Sequence, residues 1–113
     1  MHLFHNPSCS KSRGALDLLR ERGIEPRIVA YLDAPPSVDE LQDLLRKLDI
    51  PARALLRTGE PEYTELGLGS EELTDDELVA AMSAHPRLIE RPILVVGDRA
   101  VIGRPPERVL ELL

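Results

Sequence analysis

The chain's one cysteine, Cys9, stands in the stretch LFHNPSCSKSRGALDLLRERG, residues 3–23. An apolar start runs into an Asn6-Pro7 turn signal, then the thiol, then a helix-like pattern. A cysteine placed there heads the first turn of a helix, with Lys11 and Arg13 close behind it. The chemistry this permits is thiolate chemistry. A free thiol titrates near 8.5, and a helix N-terminus with cationic neighbours lowers that to roughly 3.5–7.5. The unpaired N–H groups of the first turn would face the sulfur, and they would equally welcome an oxyanion that the sulfur attacks. The other use of a lone cysteine is packing, since free Cys is among the most buried residue types. The turn before Cys9 and the polar SKSR run after it favour the reactive reading.

Two specific thiol motifs are ruled out. A Cys-x-x-Cys pair needs a second cysteine at position 12, where Ser12 stands, and a Cys-x5-Arg phosphate loop needs arginine at position 15, where Ala15 stands. Any redox cycle must take its second thiol from another molecule. His5, four residues before Cys9, either supports the thiolate or simply finishes a strand. Three arginines sit at element boundaries, where a side chain can project into a cleft or stay as a solvated charge. Arg57 ends the RALLR segment, Arg91 precedes Pro92 and the ILVV run, and Arg104 precedes Pro105. Lys11 reads as a solvated helix charge, and His85-Pro86 as a helix stop.

The elements that must position these groups follow from periodicity and punctuation. Residues 1–5 read as a short strand. A helix starts at Lys11, with Ala15, Leu16, Leu18 and Leu19 on one face and Gly23 as its left-handed cap. RIVAYL, residues 27–32, reads as a second strand. After the DAPPS break, Ser37 opens a helix with Glu40 in the capping-box position and Val38, Leu41, Leu44, Leu45 and Leu48 inward. ARALLR is a short helical turn, and residues 58–69 show no period. Thr74 with Glu77 caps another helix carrying Leu78, Val79 and Met82. ILVV, a Gly97-Asp98 turn and a returning strand 99–102 form a hairpin. Pro105 or Pro106 starts a last helix with Val109, Leu110, Leu112 and Leu113 inward. The order β-α-β, helical middle, β-β-α predicts an α/β fold. It is a thioredoxin-like mixed sheet of about four strands flanked by helices, with a helical insertion between the two halves.

Composition sets the outer limits. The 113 residues suit one domain, 1–113. With 42% hydrophobic and only 3% aromatic residues, Leu, Val, Ile and Ala must fill the core. A net charge of −6 and the lack of Trp argue against nucleic acid as a partner, so any anion site must be a local arginine cluster. One cysteine forbids an internal disulfide and a cysteine-only zinc site, and it suits a reducing compartment. No apolar run approaches the ~20 residues that span a bilayer. The expectation is a cytoplasmic monomer that binds neither nucleic acid nor membrane and holds no metal.

Five segments, HNPSCSKSR, YLDAPPS, RALLRTGE, LTDDELVAAMSAHPRLIERPILV and GRPPERVLELL, together resemble the ArsC family of glutaredoxin-dependent arsenate reductases, in order and over nearly the whole chain. The resemblance implies a thioredoxin-like fold and reduction of arsenate to arsenite, an arsenic-detoxification activity. It makes Cys9 the catalytic thiol, His5 its support, and Arg57, Arg91 and Arg104 the oxyanion-binding arginines. It implies a cis peptide before Pro92. It implies no bound cofactor, glutathione as a co-substrate, and glutaredoxin as the partner that resolves the resulting mixed disulfide. Two other readings share the scaffold. One is a thiol protein that handles glutathione mixed disulfides; the other is a partner-binding regulator of the Spx type. Three arginines around one thiol exceed what the first requires, and Ser12 removes the Cys-x-x-Cys switch typical of the second.

Overall fold

The computed structural model describes all residues, Met1–Leu113. Its contacts divide the chain into two compact units, residues 1–33 with 91–113, and residues 34–90.

The first unit holds the sheet. Strands β1 (His2–Phe4), β2 (Arg27–Val29), β3 (Ile93–Val96) and β4 (Arg99–Ile102) lie in the order β2-β1-β3-β4. β1 runs parallel to β2 and antiparallel to β3, and β4 returns antiparallel as an edge. The mixed four-stranded sheet of the sequence reading is therefore present. The register sets Leu3 opposite Leu94 and Leu94 opposite Val101. Their side chains share one face, because residues directly paired across antiparallel strands point the same way. They close a core with Ala15, Leu16 and Leu19 of helix α1 (Ser10–Glu21) and with Val109. Leu3, Leu19 and Leu94 are fully buried, and each contributes about 1.5–3 kcal/mol relative to exposure.

Helix α1 begins one residue earlier than the pattern predicts and ends as predicted. Gly23 takes φ 74° and donates to the Arg20 carbonyl at 2.9 Å, while the Ile24 amide reaches back to Leu19 at 3.0 Å. These two bonds satisfy carbonyls that the helix end would otherwise leave open. β2 stops at Val29, three residues short of the predicted strand.

The C-terminal segment differs from expectation. Pro106–Leu112 forms a 3₁₀ helix, not an α-helix. With three residues per turn, Pro106, Val109 and Leu112 share a face. Val109 is fully buried, whereas Leu113 falls off that face and is exposed.

The second unit is helical: α2 (Val38–Leu48), α3 (Ala52–Leu55), α4 (Pro61–Glu65) and α5 (Asp75–Ala84), then a 3₁₀ turn, Pro86–Leu88. Both predicted capping boxes form. Ser37 Oγ accepts from the Glu40 amide at 3.1 Å, and Thr74 Oγ1 from the Glu77 amide at 3.2 Å, with each glutamate reaching back to its cap. Leu41, Leu44, Leu55, Leu78, Val79 and Met82 are buried, but Val38 on the first turn of α2 is exposed. α4 is a single five-residue turn begun by Pro61, too short to leave a period in the sequence. An isolated antiparallel bridge, Leu56 with Ile89, draws Arg57 and Glu90 together.

Gly103 shows how tightly the first unit closes. Its amide donates to the Pro92 carbonyl at 2.8 Å. A Cβ built there would lie 2.9 Å from both Pro92 Cγ and Val109 Cγ1. Gly103→Ala is therefore expected to destabilise the protein by about 1–3 kcal/mol, the usual cost of overpacking. Urea denaturation of the variant checks this, and an unchanged midpoint would show that Val109 yields without cost.

Candidate active site

Cys9 is the N-cap residue of α1, with φ −95° and ψ 122°, and its thiol is partly exposed. The preceding turn is built from its own sequence. Asn6 Oδ1 accepts from the Ser8 amide at 3.0 Å, and the Asn6 carbonyl accepts from the Cys9 amide at 3.0 Å. Arg13, one turn into the helix, donates from Nη1 to the Pro7 carbonyl at 3.0 Å. Arg13 is thus a strap across the turn.

The electrostatics favour the thiolate. Burial pushes the Cys9 thiol up, but the opposing causes together outweigh it. These are the backbone N–H groups of Ser12 and Lys11, then a hydrogen bond from Arg91 and its charge. The net result is a pKa held below the ordinary thiol value. The Cys9 sulfur makes no regular capping hydrogen bond, so the first-turn amides act on it as nearby dipoles more than as close donors. Arg104 Nη1 stands 4.0 Å from Sγ and donates to the Arg91 carbonyl at 3.1 Å. Arg91 and Arg104, 13 residues apart in sequence, therefore meet at one sulfur. The Arg91–Pro92 peptide is cis, and so is Arg104–Pro105, of which the sequence gives no sign.

His5 continues from β1, its amide donating to the Val29 carbonyl at 3.2 Å. Its ring is directed to Ser12, with 2.6 Å between Nδ1 and Oγ. Burial first, then the charges of Arg20 and Arg13, hold the imidazole pKa below its ordinary value. His5 thus reaches the first turn of α1 through Ser12, a residue that the sequence reading notes only as the place of a missing cysteine. A signal was available: Ser12, Ala15, Leu16 and Leu19 fall at i, i+3, i+4 and i+7, so a hydroxyl sits in the buried stripe of α1.

Arg57 belongs to the unit of residues 34–90. There its Nε lies 3.4 Å from Glu60 and its Nη1 3.2 Å from Glu90. Arg87 bonds the other oxygen of Glu60 at 3.0 Å. No three His, Cys, Asp or Glu side chains come together as a metal site, and no helix is long and apolar enough to cross a membrane.

A partly exposed thiol at a helix N-cap on a four-stranded mixed sheet, with two guanidinium groups at the sulfur, defines an α/β thiol protein whose local charge suits an oxyanion. The chain belongs to the ArsC family, whose pattern it matches over residues 4–112. It is 50% identical over 112 residues to a protein named arsenate reductase from Haemophilus influenzae, covering 98% of this chain and 97% of the relative. It is 46% identical over 111 residues to an arsenate reductase of Escherichia coli K12, covering 98% of this chain but 79% of that longer protein. Among solved structures, the arsenate reductase from Vibrio cholerae superposes with a TM-score of 0.97 at 51% identity, covering 100% of this chain and 98% of that one.

The site makes a pH-dependent expectation. A thiol whose folded pKa is depressed adds stability that is fully present above its unfolded pKa and is lost as pH falls through the folded pKa. The stability of the protein relative to Cys9→Ser should therefore grow as pH rises through that window. Arg91→Ala should move the titration midpoint of Cys9 upward, read by thiolate ultraviolet absorbance. An unchanged midpoint would remove Arg91 from the electrostatics of the sulfur.

Proposed function

We propose that this protein reduces arsenate to arsenite through the Cys9 thiolate, with glutathione as co-substrate and glutaredoxin as the resolving partner. One observation carries the reading: Arg91 and Arg104 gather at a single depressed-pKa sulfur. The family to which the chain belongs, and relatives named arsenate reductase at 46–50% identity, give the oxyanion its name.

Arsenate is a tetrahedral oxyanion with one to two negative charges near neutral pH. Guanidinium forks suit its oxygens better than an ammonium group would. In the proposed sequence the sulfur attacks As(V). An S–As bond forms, an As–O bond breaks, and the oxygen leaves as water after taking up protons. The glutathione thiol adds in the same way and releases a second water. The two sulfurs then join. Two electrons pass to arsenic, which leaves as As(III), and Cys9 remains as a mixed disulfide with glutathione. A glutaredoxin thiol removes the glutathione by exchange and frees the Cys9 thiolate. Charge that develops on the arsenate oxygens is met by Arg91 and Arg104, fixed donors of the kind that dominate such catalysis.

In this reading His5 supports the thiol and Arg57 is the third oxyanion-binding arginine. Pro92 shapes the wall beside Arg91. The chain needs no bound cofactor, because glutathione supplies the second thiol that it lacks. It works as a cytoplasmic monomer, where glutathione is abundant. The 113 residues act as one functional domain.

The test is NADPH oxidation coupled through glutathione reductase, with arsenate and glutaredoxin each added or withheld. Oxidation should require both. Cys9→Ser should lose all turnover with the fold intact, and Arg104→Ala should lower kcat on the order of 10²–10³-fold. Arg57→Ala should raise the KM for arsenate, and an unchanged KM would take Arg57 out of the proposal. Turnover in Cys9→Ser would sink the thiol mechanism. Oxidation that ignores arsenate would favour the mixed-disulfide reading instead.

A further inference from the structure

Ser12 is fully buried, yet its hydroxyl stands at the meeting of three chain segments. Oγ accepts from the Asn6 amide at 3.0 Å and lies 2.6 Å from His5 Nδ1. A hydroxyl has one hydrogen to give and two lone pairs to receive with. The Asn6 N–H uses one lone pair. A single hydrogen must lie between Oγ and Nδ1. If Nδ1 carried it, the hydrogen on Oγ would be left without an acceptor in a side chain shut off from water, which buried groups avoid. If Oγ carries it, the buried hydroxyl and Nδ1 are both satisfied. Nδ1 is then an acceptor, and the ring's own hydrogen is on Nε2. Burial, then the charges of Arg20 and Arg13, also oppose the imidazolium form. The backbone N–H of the same Ser12 is the largest of the influences that draw the Cys9 thiol down. One residue therefore holds the imidazole by its side chain and addresses the sulfur by its main chain.

We propose that Ser12 is a positioning residue for the thiol: its hydroxyl, closed between the Asn6 amide and the His5 ring, holds His5 as the neutral Nε2–H tautomer and locks the turn leading to Cys9 against the first turn of α1. This rests on Cys9 being the reacting group, as proposed above, and assigns the part that keeps first-turn amides aimed at it. His5 and Ser12 act as a unit, so removing either releases the same lock.

The test uses two readouts that need no arsenate, so its failure is distinct from failure of the arsenate reaction. Nitrogen-15 NMR of the intact protein near neutral pH should show His5 with a protonated Nε2 and an unprotonated, acceptor-type Nδ1. An Nδ1–H ring or an imidazolium overturns the proposal outright, and this measurement stands even if variants fold poorly. The second readout is the pH profile of Cys9 alkylation by iodoacetamide. Ser12→Ala should move its midpoint upward and slow alkylation below the original midpoint about threefold to tenfold, the scale of one buried hydrogen bond. In a His5→Ala background the same substitution should change the rate less than about twofold, as expected of one unit. A profile unmoved by Ser12→Ala, or an equal effect in both backgrounds, overturns the coupling.

Discussion

A negative charge on sulfur is the constraint around which the first unit is arranged. A thiol near the surface of an acidic protein, net charge −6, gains nothing from the global field. Its ionisation must be supported locally. The chain does this with three independent sources: amide dipoles at the start of α1, the Arg91 guanidinium, and Arg104 beyond it. The first comes from residues 9–12 and the others from residues 91–104, so the sulfur's state depends on the sheet that joins those segments. β1 leads to the thiol, β3 starts just after Arg91, and β4 ends just before Arg104. The antiparallel register of β1 with β3 and of β3 with β4 fixes all three boundaries at one end of the sheet.

The same constraint explains why the hydrophobic core is so closely tied to function. Leu3, Leu94 and Val101 are neighbours in the register and lie under α1. A one-residue slip would turn them outward. It would also separate the two arginines from the thiol. Gly103 carries this coupling further, because its missing side chain lets Val109 and Pro92 close over the core beside Arg104.

Much of this was readable from residues alone, for definite reasons. Capping boxes at Ser37 and Thr74, the Gly23 cap and the Gly97-Asp98 hairpin are local signals with local causes, and each is seen. The four-stranded mixed sheet follows from element order. What sequence could not show depends on distant partners or on subtle periodicity. The last helix is 3₁₀, which a Pro-started, Leu-rich segment does not distinguish from α. Arg57 is gripped by Glu60 and Glu90. Spacing could hint at Glu60, three residues away, but Glu90 is 33 residues distant and arrives only through the Leu56–Ile89 bridge. Ser12 shows itself only as a hydroxyl that interrupts the apolar stripe of α1, and its partner His5 lies outside the helix.

Arg104 offers its Nη1 to the Arg91 carbonyl while standing 4.0 Å from the sulfur. A free arginine side chain carries roughly 2 kcal/mol of rotamer entropy. Tethered to a main-chain oxygen, much of that freedom is already surrendered when the polypeptide folds. An incoming anion therefore finds a rigid receptor and need not freeze a wandering one, and the enthalpy of its contacts goes into affinity.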